Sequence, residues 1–163
     1  MVTGRDCGPV PDHSPQETFQ MTDIQTVMTS SPACCKADTP LRDVAKMMVD
    51  NDCGMIPVVD DAHRPLGTIT DRDITVRMVA QGRNPLDGTA SDAMTSPCKH
   101  VTTGTSLYDT TCMMEAEKIR RVLVVDDSGK LAGVAAIADL ALAGKDEATA
   151  HVVKQVSEPA KKH

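Results

Sequence analysis

A chain of 163 residues with 40% apolar content can build one domain or two small ones sharing a core, but Phe19 and Tyr108 are its only aromatic residues, so Val, Ile, Leu, Ala and ten methionines must fill its interior. Seventeen basic residues against twenty-three acidic ones leave a net charge of −6, which disfavours a general nucleic-acid binder, and no apolar run approaches the roughly 20 residues that span a bilayer. With no hydrophobic signal-peptide centre in Met1-Val2-Thr3-Gly4-Arg5-Asp6-Cys7, the expectation is a soluble cytoplasmic protein with neither nucleic acid nor membrane as partner.

Residues 1–16, punctuated by Gly4, Gly8, Pro9, Pro11 and Pro15, read as a tail. Phe19, Ile24, Val27 and Met28 predict a short lead-in helix, and Ala33 to Lys36 a short strand. Thr39-Pro40 predicts an N-cap followed by proline at the first helical position. Leu41, Val44, Ala45 and Met48 then mark one buried helix face, which Asn51 to Gly54 ends. Met55 to Val59 predicts a strand, Asp60 to His63 a turn, and Leu66 to Ile69 the returning strand. A helix over Asp71 to Ala80 follows and stops at Gly82.

An offset of 66 residues repeats this order. Thr39 falls on Thr105, Leu41 on Leu107, Met47-Met48 on Met113-Met114, and Val58-Val59-Asp60-Asp61 on Val124-Val125-Asp126-Asp127. Met28-Thr29 falls on Met94-Thr95, Gly67 on Gly133 and Asp73 on Asp139, while Ser31-Pro32 and Ser96-Pro97 are displaced by one residue. So many matches in one register mean an internal duplication of a β-α-β-β-α unit. The expected organisation is a first motif over 17–82, a linker over 83–88 and a second motif over 89–144. Residues 145–163 form a C-terminal extension with a short helix around Val152 to Val156.

The stretch Gly67-Thr68-Ile69-Thr70-Asp71-Arg72-Asp73-Ile74 lies where a strand turns into a helix. Unpaired N–H groups at a helix start suit an anion, Thr70 adds a hydroxyl, and the Asp73 carboxylate is placed to accept two hydrogen bonds from a ribose diol. The same Thr-x-x-Asp spacing is close to that of a capping box, and the two roles can coexist.

Two tandem β-α-β-β-α units, each with a Met-Thr-x-x-Pro lead, a Val-Val-Asp strand end and a Gly-x-x-(Ser/Thr)-x-x-Asp closing motif, resemble a CBS-domain pair, the Bateman module, over roughly Thr22 to Leu142. The fold class implied is α/β (α+β), with two motifs about a pseudo-twofold axis and two clefts between them. The resemblance implies a stand-alone regulatory module, not an enzyme, that binds AMP, ADP, ATP, NAD or S-adenosylmethionine, holds no metal and dimerises. Carried over, Thr70 would face phosphate and Asp73 the ribose, with Gly54, Met55, Thr68 and Arg72 from the same copy. Thr95, Pro97-Cys98-Lys99, Ile119 and Arg120 would come from the second. The other cleft keeps Asp139, but Ala136 replaces the expected Ser or Thr, which removes a hydroxyl and a helix cap; Arg121 supplies charge there. The clefts should therefore be unequal.

Two other readings come from the residues themselves. Adjacent Cys34-Cys35 suits a thiol- or metal-responsive protein, although six cysteines and five histidines show no ligand spacing, and Cys53 and Cys112 read as core residues. A nucleotide-hydrolysing enzyme is disfavoured because no Ser-His-Asp or Cys-His arrangement has recognisable spacing.

Overall fold

The computed structural model describes residues 22–143; the predicted tail, Phe19 and the C-terminal extension with its Val152 to Val156 helix lie outside them. Ile24–Thr26 forms one 3-10 turn in place of a lead-in α-helix. The chain must leave helical geometry there because β1 (Thr29–Ser30) runs out to pair with a distant strand. α1 (Leu41–Asp50), β2 (Met55–Val59), β3 (Pro65–Thr70) and α2 (Asp71–Arg77) follow. The second half supplies α3 (Ala90–Ala93), β4 (His100–Thr102), α4 (Leu107–Glu117), β5 (Arg121–Val125), β6 (Leu131–Ala136) and α5 (Ile137–Ala143). The mixed α/β composition is as expected, and the strands lie in a four-stranded sheet, β1-β6-β5-β4, and a two-stranded sheet, β2-β3.

The duplication is visible in the register. β2 pairs with β3 antiparallel from Met55↔Thr70 to Val58↔Gly67, with a bulge between Val58 and Val59. β5 pairs with β6 from Arg121↔Ala136 to Val124↔Gly133, with a bulge between Val124 and Val125. Every one of these positions is related by the same offset of 66.

Four local expectations change, each for an identifiable reason. Ala33 to Lys36 is not a strand: only Cys35 bridges to Val58, its N–H donating to the Pro57 carbonyl at 3.0 Å and its carbonyl accepting from Val59 at 2.8 Å. Pro57 has no N–H to return to Ala33, so the parallel ladder stops. The equivalent of Pro57 is Leu123, and there β4 pairs with β5 over three residues. Pro40, not Thr39, occupies the cap position of α1, with φ −56° and ψ 138°. An antiparallel bridge to Thr89 holds Pro40 extended, and the Thr39 hydroxyl instead accepts from the Lys36 N–H at 3.0 Å. Ala45 is exposed, leaving Leu41, Val44 and Met48 as the buried face of α1. Finally, the helix after Asp71 ends at Arg77 and tightens into a 3-10 turn over Val79–Gln81, closed by Gly82 in the left-handed region at φ 69°. Fully buried Met78 anchors that change of pitch.

Packing crosses the sequence boundary between the halves. Ala90, Ala93 and Met94 of the second lead pack into the first core with Val44, Ile56 and Ile69. Ile24, Val27 and Met28 of the first lead pack into the second core with Leu107, Met114 and Val124. Met55, Val59, Leu123 and Leu131 form a third cluster, against which Cys34 and Cys98 pack. Cys53 is partly buried against the first core, whereas Cys112 is exposed and not a core residue.

The second lead is tied down at Asp92. Its carboxylate accepts from the Thr89 N–H at 2.9 Å and from Arg83 at 2.7 Å. The backbone N–H of Thr89 first, then Arg83 and the Thr89 hydroxyl, hold this exposed carboxyl down at about 2. A depressed carboxyl stabilises the fold above its unfolded pKa of about 4, and the contribution is lost as pH falls from there toward 2. Asp92→Asn is therefore expected to lower Tm at pH 7. Melting curves at several pH values should show the gap from wild type closing between about pH 4 and 2.

Candidate functional site

The crossing leads place one Met-Thr pair against each closing strand. Thr68 of β3 and Thr95 bridge antiparallel, Thr68 N–H to Thr95 carbonyl at 3.0 Å and Thr95 N–H to Thr68 carbonyl at 2.8 Å. In the other half Thr29 pairs with Val134 and Ser30 with Gly133. Both contacts need a glycine on the closing strand. A Cβ on Gly67 would lie 2.6 Å from the Thr95 carbonyl oxygen, and one on Gly133 2.5 Å from Met28 Sδ and 2.9 Å from the Thr29 carbonyl oxygen. The Gly of the closing motif and the Met-Thr of the opposite lead are thus two halves of one contact.

At the start of α2 the capping box is complete. The Asp73 N–H donates to Thr70 Oγ1 at 3.0 Å, and Asp73 Oδ2 accepts from the Thr70 N–H at 3.0 Å and from its hydroxyl at 2.8 Å. Oδ2 is fully engaged, while Oδ1 faces the Arg77 guanidinium at 3.7 Å. Met55 lies opposite Thr70 in the β2-β3 hairpin, and the Asp71 N–H donates to the Gly54 carbonyl at 3.3 Å. Gly54, Met55, Thr68, Thr70, Asp73 and Thr95 are therefore held in one connected strip.

Among the described residues the other candidates make no hydrogen bond to that strip, although Cys98 packs on the cluster that contains Met55. Arg72 is exposed on the first turn of α2. Cys98 packs against the cluster formed by the two hairpins, where burial pushes its thiol pKa up, and Lys99 pairs with Glu117 at 2.9 Å. Ile119 packs on the second core. The Arg120 carbonyl accepts from the Ile137 N–H at 3.0 Å, and Arg121 stands opposite Ala136, so the backbones of both arginines run along the second closing motif. There Asp139 Oδ2 still accepts from the Ala136 N–H at 2.8 Å, so α5 keeps half of a capping box in place of none.

Arg77 is the residue that motif reasoning missed. Its guanidinium donates to the carbonyls of Ala93 and Met94, each at 2.5 Å, and to Thr95 Oγ1 at 2.9 Å. The signal available was its i,i+4 spacing from Asp73.

A hollow of about 500 Å³ opens elsewhere on the first motif, lined by Ala45, Met48, Val49, Asp52, Cys53, Gly54, Asp71 and Ile74. It shares Gly54 with the strip but takes nothing from the second motif, and neither Thr70 nor Asp73 lines it. Among the described residues no group of three or more His, Cys, Asp or Glu side chains is arranged to hold a metal ion, and no helix is long and apolar enough to cross a membrane.

Comparison with known proteins places the fold in a family. The chain is 29% identical over 139 residues to hypoxic response protein 1 of Mycobacterium tuberculosis, covering 85% of this chain and 96% of that one. It is 32% identical over 114 residues to the protein MK0525 of Methanopyrus kandleri, covering 70% of this chain but only 56% of that longer relative. The crystal structure of hypoxic response protein I with two coordinated zinc ions superposes with a TM-score of 0.68 at 29% identity, covering 74% of this chain and 98% of that one. Two further structures share the fold at lower identity. One is CBSX2 in complex with AMP, with a TM-score of 0.66 at 22% identity, covering 74% of this chain and 95% of that one. The other is the CBS pair of MJ0100 with 5′-methylthioadenosine and S-adenosylmethionine, with a TM-score of 0.67 at 21% identity, covering 75% of this chain and 94% of that one. The CBS-domain family model matches residues 22–80 and again 90–146, so the chain belongs to the CBS-domain family and carries two such domains in tandem.

Proposed function

We propose that this protein is a cytoplasmic regulatory module that binds an adenosyl nucleotide in the cleft beside Asp73 and signals occupancy by a change in conformation or assembly. The observation that carries the reading is the strip in which Thr95 of one motif is bridged to Thr68 of the other, next to a carboxylate whose Oδ1 caps nothing and faces Arg77 at 3.7 Å, beyond hydrogen-bond distance. CBSX2 holds AMP and MJ0100 holds adenosyl compounds in this fold, which supports the ligand class. Asp73 Oδ1 takes the ribose diol, and Arg72 lends charge on the phosphate side. The Thr70 hydroxyl proton is already given to Asp73, so contact with phosphate requires it to turn outward. Exposed Val49, Val76, Val79, Tyr108 and Leu142 on the helices suit contact with a second copy, as a homodimer of pairs requires.

A thermal-shift panel of AMP, ADP, ATP, NAD and S-adenosylmethionine tests the reading. A ligand at a hundredfold excess over its Kd stabilises the fold by about 2.7 kcal/mol, a readily measured rise in Tm. No response to any of them at millimolar concentration overturns it.

The Asp139 cleft is the weaker of the two in this reading. Ala136→Thr completes its capping box and is expected to stabilise the protein by about 0.5–2 kcal/mol, read by denaturant unfolding, and to strengthen nucleotide binding at the second cleft.

The zinc of hypoxic response protein I favours one second reading, a metal- or thiol-responsive protein. Burial opposes it here: the Cys34 thiol is pushed up, and Cys35 is pushed up to about 11 by burial and then by its neighbour Cys34, which disfavours the thiolate that a metal needs. Stoichiometric zinc in the purified protein would decide for it.

A further inference from the structure

Arg77 stands between the two motifs. From the last turn of α2 it reaches the carbonyls at the end of α3 and the Thr95 hydroxyl, and it faces Asp73 Oδ1, the oxygen outside the capping box, at 3.7 Å. The offset of 66 puts Ala143 at its equivalent position, so nothing comparable faces Asp139 from α5. The difference between the two clefts therefore extends beyond the exchange of Thr70 for Ala136.

We propose that Arg77 is a positioning residue that sets ribose selectivity in the Asp73 cleft. It fixes the second lead through Ala93, Met94 and Thr95, and the same guanidinium lies in ion-pair range of Asp73 Oδ1 at 3.7 Å, where its charge orients the carboxylate for a diol. The planar fork of arginine suits this double duty, because one N–H group can serve two carbonyls while another serves a hydroxyl. With the guanidinium absent, Asp73 keeps its cap through Oδ2, but Oδ1 and the Thr95 strip lose their common reference.

This inference rests on the nucleotide reading above, and it concerns selectivity for the 2′-hydroxyl, not binding as such. The test is calorimetric titration of the full chain with AMP and with 2′-deoxy-AMP, on wild type, Arg77→Ala and Arg77→Lys. The wild type is expected to prefer AMP by about tenfold, the worth of one hydrogen bond to a charged acceptor. In Arg77→Ala the ratio should fall toward one, with most of the loss on AMP. Arg77→Lys should recover part of it, since lysine restores charge beside Asp73 without the fork. Should Arg77→Ala fail to fold, Arg77→Gln carries the same comparison. An AMP to 2′-deoxy-AMP ratio unchanged from wild type in Arg77→Ala, or in Arg77→Gln where the alanine variant does not fold, overturns the inference and leaves the nucleotide reading standing. Wild type that binds neither compound overturns both.

Discussion

Asp73→Ala is expected to weaken AMP binding about ten- to a hundredfold, measured by titration calorimetry. In the proposed reading the substitution removes the carboxylate that meets the ribose diol, including Oδ1, which faces the Arg77 guanidinium at 3.7 Å; hydrogen bonds to a charged group are worth about 1.5–3 kcal/mol. It also breaks the capping box, because Oδ2 accepts from both the N–H and the hydroxyl of Thr70. A fall in stability of about 1 kcal/mol should accompany the loss of affinity. The two effects separate in Thr70→Ala. That variant loses the cap for the Asp73 N–H but keeps the carboxylate, so stability should fall by a similar amount while diol recognition survives.

Gly67→Ala is expected to cost about 1–3 kcal/mol in denaturant unfolding and to weaken nucleotide binding with it. The new Cβ would press on the Thr95 carbonyl oxygen from 2.6 Å and on Met94 Sδ from 3.2 Å. Backbone cannot yield as a side chain does, so the two bonds between Thr68 and Thr95 must lengthen. Gly133→Ala is the matched comparison: its Cβ meets Met28 Sδ at 2.5 Å, and Met28 Cγ and the Thr29 carbonyl oxygen at 2.9 Å each, so the backbone there is farther away than the 2.6 Å at Gly67. It should cost less and leave the Asp73 cleft intact. Unchanged stability in Gly67→Ala would contradict this account of the crossed leads.

The duplication and the hairpins were readable because strand periodicity, the Val-Val-Asp ends and the turns are local signals repeated at one offset. Met55–Val59 forms the strand its sequence predicts, and the bulge at Val58 recurs at Val124. What escaped was decided by contacts between the halves. The lead residues fold as a turn and a short strand because Thr29 and Ser30 are claimed by β6, and Pro40 is held extended by Thr89. A missing N–H at Pro57, far along the chain, ends the strand expected near Cys35. At the site, the strand-to-helix turn with its carboxylate was legible from Thr70-x-x-Asp73. Arg77 was not, since its partners Ala93 to Thr95 become neighbours only when the second lead crosses over.

An NMR titration of 15N-labelled protein with AMP tests the central claim most directly. Saturable amide shifts centred on Thr68, Thr70, Asp73 and Thr95, and lost in Asp73→Ala, are the predicted result. Shifts confined to the hollow around Ala45, Val49 and Asp52, or no shifts at millimolar AMP, would contradict a ligand cleft built from both motifs.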